Sequence, residues 1–419
     1  MFNTAITQRL RLPGGRPFHL LLLSLAVSSV GDWLYNVALL ALVFQRTGSA
    51  TWVALTTAAR VLPVVVLGPI GGVLADRYDR RQLIIASDLS RALLMIALAA
   101  VATAGLPIIL APVIAAAATA AGVVQPPCVA ACTARFVSDS ELQQAQALRS
   151  TIGQAAVIVG PALGALVMLA STPAAAMLLN ALTFLGSAAT IVSIAPGPQF
   201  RPEARASVES RPGMLAEIGA GARALRGAPA AITLVAADVL CSAVYGMLTV
   251  TLVLVSRKVG AGDGGYGLLL GAFGAGGVLG ALVTARISGE EQWRRMLALA
   301  LAMVGLPLAA LGLAPTLLLA LALAVLGGGG MIVGEVLAET ALPRVLDDEL
   351  LARAYGIVFP VSICGIVAGS LVAGPLLALF GLTGALAVSG AFVLVVAGLL
   401  LHRPLVPQTI RVQTEPASA

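Results

Sequence analysis

The sequence predicts an all-α polytopic membrane protein, with twelve transmembrane helices in two pseudo-symmetric bundles of six. Three observations carry this. Of 419 residues, 59% are hydrophobic and 11% are charged, and mean hydropathy is +0.99, whereas a soluble chain carries about 25% charged residues. Placing alternate loops on one side puts 20 of the 25 Lys and Arg residues there and three (Arg46, Arg257, Lys258) on the other, a bias that marks the cytoplasmic side and sets both termini inside the cytoplasmic membrane. Finally, chemically similar residues recur about half a chain apart. Asp139 and Glu141-Leu142 match Asp347 and Glu349-Leu350 at an offset of 208, Asp32 matches Asp238 at 206, and Gly160 matches Gly369 at 209, as expected of a duplicated six-span unit.

Residues 1–17 form a basic tail with Arg9, Arg11 and Arg16. The first apolar run contains Asp32 and Asn36 and lacks a tidy small-residue cleavage site, so it reads as a retained span rather than a signal peptide. Spans take about 20 residues each and are expected near 18–45, 51–75, 82–104, 107–134, 145–170 and 173–196, which together make the first bundle (18–196). Residues 197–228 form a cytoplasmic central loop. Its first part is linker-like. Its second part places Met214, Leu215, Ile218, Ala222 and Leu225 near helical spacing, which suits a helix lying along the inner membrane surface. The second bundle (229–402) holds spans near 229–256, 264–287, 293–313, 315–341, 353–380 and 383–402, followed by a cytoplasmic tail (403–419).

Several chemistries are not indicated. Cys128, Cys132, Cys241 and Cys364 sit in apolar segments without metal-type spacing and read as small packing residues. His19 and His402 flank the first and last spans. No His-Glu-x-x-His and no phosphate-loop motif is present, so neither an enzyme nor direct ATP drive is expected, nor any metal or cofactor. The net charge of +6 lies mostly on the cytoplasmic face beside anionic lipid, not on a nucleic-acid interface. A monomer in the lipid bilayer is expected.

An ionisable group at membrane depth costs about 2.5–3.5 kcal/mol on insertion scales, so it faces a cavity or a partner. Asp32 lies near the middle of span 1, with Tyr35 and Asn36 on the same helix face. Asp238 is its counterpart in span 7, with Tyr245 two turns on. Two carboxylates on opposing halves would attract cations and take up protons; the alternative is a structural role for each. Arg60 in span 2 either pairs with Asp32 or contacts an anionic substrate. Glu335 and Glu339 follow the four glycines 327–330 in span 10; Glu339 reads as interfacial, and Glu335 as part of an inner gate or proton path. Asp88 and Arg91, at i and i+3 in span 3, are expected to join Asp76, Arg77 and Arg80 in a charge network at the inner surface.

The loop GGVLADRYDRR, with Gly72-x-x-x-Asp76-Arg77 and then Arg80-Arg81, resembles the loop between spans 2 and 3 of major facilitator superfamily transporters. With the following Ser-Asp-x-x-Arg, it is most similar to the drug and siderophore exporter branch, including macrolide and enterobactin exporters. The resemblance implies the major facilitator fold and a gate role for Asp76 and Arg77, which would hold the inner side shut. Gly153, Gly160, Pro161 and Gly164 in span 5 resemble the family's exporter motif. Two departures stand out: Asp79 replaces the second loop glycine, and span 4 lacks the Arg of many proton-coupled exporters. The expected function is export of amphipathic small molecules by proton antiport. Nutrient import and a non-transporting receptor are the alternatives.

Overall fold

The computed structural model describes residues 13–202, 229–284, 293–345 and 348–402, and among these every regular element is helical. The helices are α1 (Arg16–Thr47), α2 (Ala50–Arg77), α3 (Arg80–Thr103), α4 (Leu110–Phe136), α5 (Leu142–Ala170), α6 (Pro173–Val192), α7 (Pro229–Lys258), α8 (Gly262–Thr284), α9 (Trp293–Leu311), α10 (Leu317–Val345), α11 (348–380) and α12 (382–402). Among the described residues, ten segments are long and apolar enough to cross a membrane. One of these carries both α11 and α12, because the backbone turns at Gly381 with φ 66°, a conformation open to glycine at no steric cost. Together with the shorter apolar α9, they provide the twelve expected spans.

Local chemistry sets most boundaries. Gly48 ends α1 in the left-handed region, the Asp79 carboxylate caps α3 by accepting from Gln82 N, and Pro173 opens α6, where its missing N–H costs nothing. Span 4 differs from the single rod expected: it consists of Leu110–Gly122 and Gln125–Phe136, with a break just before Pro126 and Pro127. Proline cannot donate to the preceding turn. The central loop begins with a short turn at Pro198–Phe200, where buried Phe200 packs edge-on against Phe136 with ring centroids 5.4 Å apart. The predicted surface helix at 214–225, Asp347 and the side chain of Glu339 lie outside the described residues.

The two halves repeat one pattern of neighbours. In the first, α1 packs on α5, α2 on α4, and α3 on both α6 and α4. In the second, α7 packs on α11, α8 on α10, and α9 on both α12 and α10. The halves meet where α5 lies along α8 and α2 along α11, pairs that the internal symmetry exchanges. The glycines matched in sequence do corresponding jobs. A Cβ on Gly160 would lie 2.3 Å from Trp33 Cβ and 2.8 Å from Val30 O of α1, and a Cβ on Gly369 would lie 1.8 Å from Ala243 O of α7. Membrane helices gain little from hydrophobic contact with one another, so this close backbone approach carries much of their association.

Gly369→Ala or Gly160→Ala should therefore destabilise the protein by about 1–3 kcal/mol, the usual cost of overpacking. Gly153→Ala, where a Cβ meets nothing within 4 Å, should be neutral or slightly stabilising. Thermal unfolding midpoints in one detergent would rank the three, and equal losses would contradict the packing argument.

Candidate translocation site

The near face is the end of the molecule holding the start of α1 and the α2–α3 loop; the far face is the opposite end. Asp32 lies 16 residues into α1, about 24 Å along a helix rising 1.5 Å per residue. Its Oδ2 accepts from Arg91 Nη2 of α3 at 2.5 Å, and the Asp32 side chain remains 33% exposed while that of Arg91 is 9% exposed. Arg91 stacks over the Phe184 ring of α6 at 4.0 Å and donates to Gln125 Oε1 of α4 at 3.2 Å. The Gln125 amide in turn donates to Asp88. Ser187 Oγ donates to the other Asp88 oxygen at 2.5 Å and lies 2.7 Å from Ser24 Oγ of α1. Because the Ser187 proton is committed to Asp88, Ser24 must be the donor to Ser187. Asp88 and Ser187 are fully buried. One guanidinium thus serves two carboxylates, directly at Asp32 and through an amide at Asp88.

This arrangement corrects two expectations. The partner of Asp32 is Arg91, not Arg60, and Asp88 and Arg91 reach inward to α1, α4 and α6 rather than joining the loop charges. The loop arginines serve backbone carbonyls instead. Arg80 Nε donates to Ala75 O at 3.1 Å, and Arg81 donates to Val192 O at 2.7 Å and Ile194 O at 3.1 Å, closing the end of α6. Asp76 and Arg77 are exposed and form no ion pair with any described residue. Gly72 has open space beside it.

Sequence reasoning missed Ser24, Gln125, Phe184 and Ser187. A signal existed: Ser24, Ser28, Asp32 and Asn36 recur every four residues along α1, and Asn180, Thr183 and Ser187 recur along α6. Polar stripes at helical spacing on apolar helices mark one shared face.

In the second half, half-buried Asp238 of α7 accepts from Ser362 of α11 and has no cation paired to it among the described residues. Asp32 and Asp238 match in sequence but not in partners. Half-buried Glu335 lies on α10. Arg60 stands at the junction of the halves, hydrogen-bonded to Tyr35 and within electrostatic reach of Tyr245 and Asp32. Tyr35 and Asn36 are buried, and neither amide atom of Asn36 finds a partner among the described residues.

The halves close on each other at the far face. Arg257 Nη2 lies 2.8 Å from Asp263 Oδ1 and stacks over Phe44 of α1 at 4.7 Å, while Gln45 donates to Asp263 Oδ2 at 2.7 Å. Below this latch, Gly264, Gly267, Gly271 and Gly274 line one face of α8, and α5 lies against them from Leu169 down to Val157. Pro161 presents its carbonyl to Gly267, while Gly164 sits on Leu34 and Val37 of α1. Toward the near face no such approach to a described residue is seen at Gly153. Gly153 and the exposed residues around it, Ser150, Thr151, Gln154 and Ala155, border open space.

A family model described as a transmembrane secretion effector, of the major facilitator type, matches residues 15–418. The chain belongs to this family. Among its relatives, an uncharacterized major facilitator-type transporter, YfiS of Bacillus subtilis (strain 168), is 28% identical over 84% of this chain and 86% of its own length. A putative bacilysin exporter, BacE of Bacillus amyloliquefaciens, is 26% identical over 92% and 93%. A mutant of the nucleoside transporter NupG superposes with a TM-score of 0.75 at 12% identity, covering 92% of this chain and 99% of its own, which shows the shared fold. The chain is therefore a multi-pass transporter of the major facilitator fold, and family and fold alike are those of transporters rather than enzymes.

The latch at Asp263 is partly exposed, so it contributes at most about 1 kcal/mol, enough to shift a two-state balance about 5-fold. With exposed Cys364 replaced by Ser, a Gly153→Cys variant should react readily with a water-soluble maleimide. Adding Asp263→Ala should slow that labelling, by up to about 5-fold, as the far face loosens. An unchanged rate would remove the latch from the balance.

Proposed function

We propose that this chain is a secondary active exporter of amphipathic small molecules across the cytoplasmic membrane, driven by proton antiport through alternating access. The observation that carries the reading is the Asp32–Arg91 pair: a carboxylate one-third exposed at mid-membrane depth, held by a guanidinium that also reaches a second, fully buried carboxylate through one amide. Protonating Asp32 removes the negative charge that holds Arg91. Arg91 then has Asp88 as its remaining carboxylate and is drawn deeper among α3, α4 and α6. Deprotonation restores the pair with α1. In this way one proton biases the packing of α1 against α3.

The excess of Lys and Arg on the near face supports a cytoplasmic orientation for it. A far face latched while Gly153 of α5 faces open space toward the near face fits a state open to the cytoplasm. Asp76 and Arg77 lie exposed and without an ion pair to a described residue, as expected of an inner gate that has released. Asp238, Tyr245 and Glu335 would line the second half's side of the pathway, and Gly153, Gly160, Pro161 and Gly164 would let α5 pivot between α1 and α8. The name of BacE and the glycine–proline pattern of α5 favour export over uptake. The described residues around the pathway are mostly Ala, Leu, Val and Gly, which suits apolar substrates of varied shape.

Cells carrying the gene should accumulate less of an amphipathic antibiotic than cells without it, and a protonophore should abolish the difference. Asp32→Asn should eliminate this drive-dependent export while the protein remains folded by size-exclusion and thermal unfolding. Wild-type export by Asp32→Asn would take the carboxylate out of the mechanism.

A further inference from the structure

Arg60 is a cation at the centre of the protein without an ion-pair partner among the described residues. The carboxylate it senses, Asp32, is already bound by Arg91. Arg60 Nε is buried and makes no hydrogen bond, and the same holds for the hydroxyls of Tyr245 on α7 and Tyr266 on α8. Arg60 does hydrogen-bond Tyr35 of α1, and Tyr245 and Tyr266 lie on neighbouring helices within electrostatic reach of it. Tyr245 is fixed by the Phe273 ring 6.2 Å away, and Tyr266 is fully buried. The set comes from α1 and α2 of one half and α7 and α8 of the other, so it sits on the seam the substrate must cross. Arg60 itself is only half-buried, which leaves part of its side chain accessible.

A buried hydrogen-bonding group left unpaired costs about 1–3 kcal/mol, and more if it is charged. A cluster of unsatisfied groups held between moving halves is expensive unless something supplies their partners. Every member can donate and one is permanently positive, so the missing partner is acceptor-rich and anionic. A guanidinium matches a carboxylate by two parallel hydrogen bonds, and a tyrosine hydroxyl adds a third.

We propose that Arg60, with Tyr245 and Tyr266, binds the carboxylate of the transported molecule, so that the substrates are amphipathic acids or zwitterions rather than lipophilic cations. The inference rests on the export reading for the word substrate, but the binding site stands without it. A phosphonate offers the same oxygens in a tetrahedral array, and the planar carboxylate is the better fit to the guanidinium fork.

The test is equilibrium binding to the purified full chain in detergent, with three probes sharing one apolar body: naphthylacetate, naphthylacetamide and naphthylmethylphosphonate. Naphthylacetate should bind at least about 10-fold more tightly than the amide, the order expected of a charge-assisted hydrogen bond, with the phosphonate between them. Arg60→Gln should abolish the preference by weakening naphthylacetate alone, and Arg60→Lys should keep part of it. Tyr245→Phe, which retains charge and ring, should reduce the preference about 3–10-fold and carries the test should Arg60→Gln fail to fold. Equal binding of acid and amide by the wild type, a preference that survives Arg60→Gln, or tighter binding of the phosphonate would each overturn the carboxylate assignment. Flux is measured separately. A carboxylate preference in binding without proton-driven export would overturn the export reading and leave the site intact, and export of uncharged probes alone would do the reverse.

Discussion

A charge below the lipid headgroups must be answered by another group of the protein, and that constraint arranges the centre of this molecule. Arg91 is the clearest case. Water cannot reach most of it, so four helices contribute to its surroundings: Asp32 from α1, Phe184 from α6, Gln125 from α4, and Asp88 one turn away on its own helix. The network ties the first bundle together in a way that apolar packing does not, since lipid tails compete equally well for leucine. It also cannot be altered at one point without consequence. Neutralising one carboxylate leaves a buried cation whose remaining oxygens lie elsewhere, and breaking a buried pair from one side is far costlier than removing both partners.

Close helix approach is the second requirement, and here the duplication has been kept. Gly160 and Gly369 admit α1 and α7 in equivalent places, so backbone packing preserves the ancestral symmetry. The charges do not. Among the described residues, Asp32 has a guanidinium and Asp238 has only a serine hydroxyl. A symmetric pair of proton sites would respond alike whichever face were open. The asymmetric pair here gives the halves different electrostatic costs. The scaffold keeps the symmetry, while the charges break it.

Much of the fold was legible because the bilayer makes length and polarity decisive: about twenty apolar residues between charged loops admit few structures. The glycine match at an offset of 209 was legible for the same reason, since only glycine serves where a Cβ would meet a carbonyl. The break in α4 was missed although Pro126 and Pro127 announce it, because hydropathy averages over the break. The site was half legible. Intramembrane charges are rare enough to name, so Asp32, Arg60, Asp88, Arg91 and Asp238 stood out, but their pairing is a property of three dimensions. Asp88 and Arg91 sit near charged loop residues in sequence, and that proximity misdirected the assignment to the near face. Gln125 and Ser187 carry no charge and drew no attention, though an amide between a guanidinium and a carboxylate is what lets one cation serve two acids.

The distribution of strong and weak contacts explains how such a structure can move. Within each half, glycines admit a neighbouring backbone at Gly160, Gly246 and Gly369, contacts that do not slide without losing many atoms of packing. Between the halves, the far-face closure is one amide–carboxylate hydrogen bond and one stacked ring, both steadied by a part-exposed ion pair within the second half. Surface ion pairs contribute about 0–1 kcal/mol, so this closure alone leaves the two access states within a few kcal/mol of each other. A gap of that size is what a single proton or a bound molecule can reverse, because a shift from 1:99 to 99:1 needs about 5.5 kcal/mol. The row from Gly264 to Gly274 along α8 presents a smooth face to α5, so the halves can reorient there without unlocking large side chains. Rigid bundles joined by a weak latch and a smooth seam therefore leave the balance to the charges at the centre, where Asp32 has a cation to hold and Arg60 lacks an anion among the described residues.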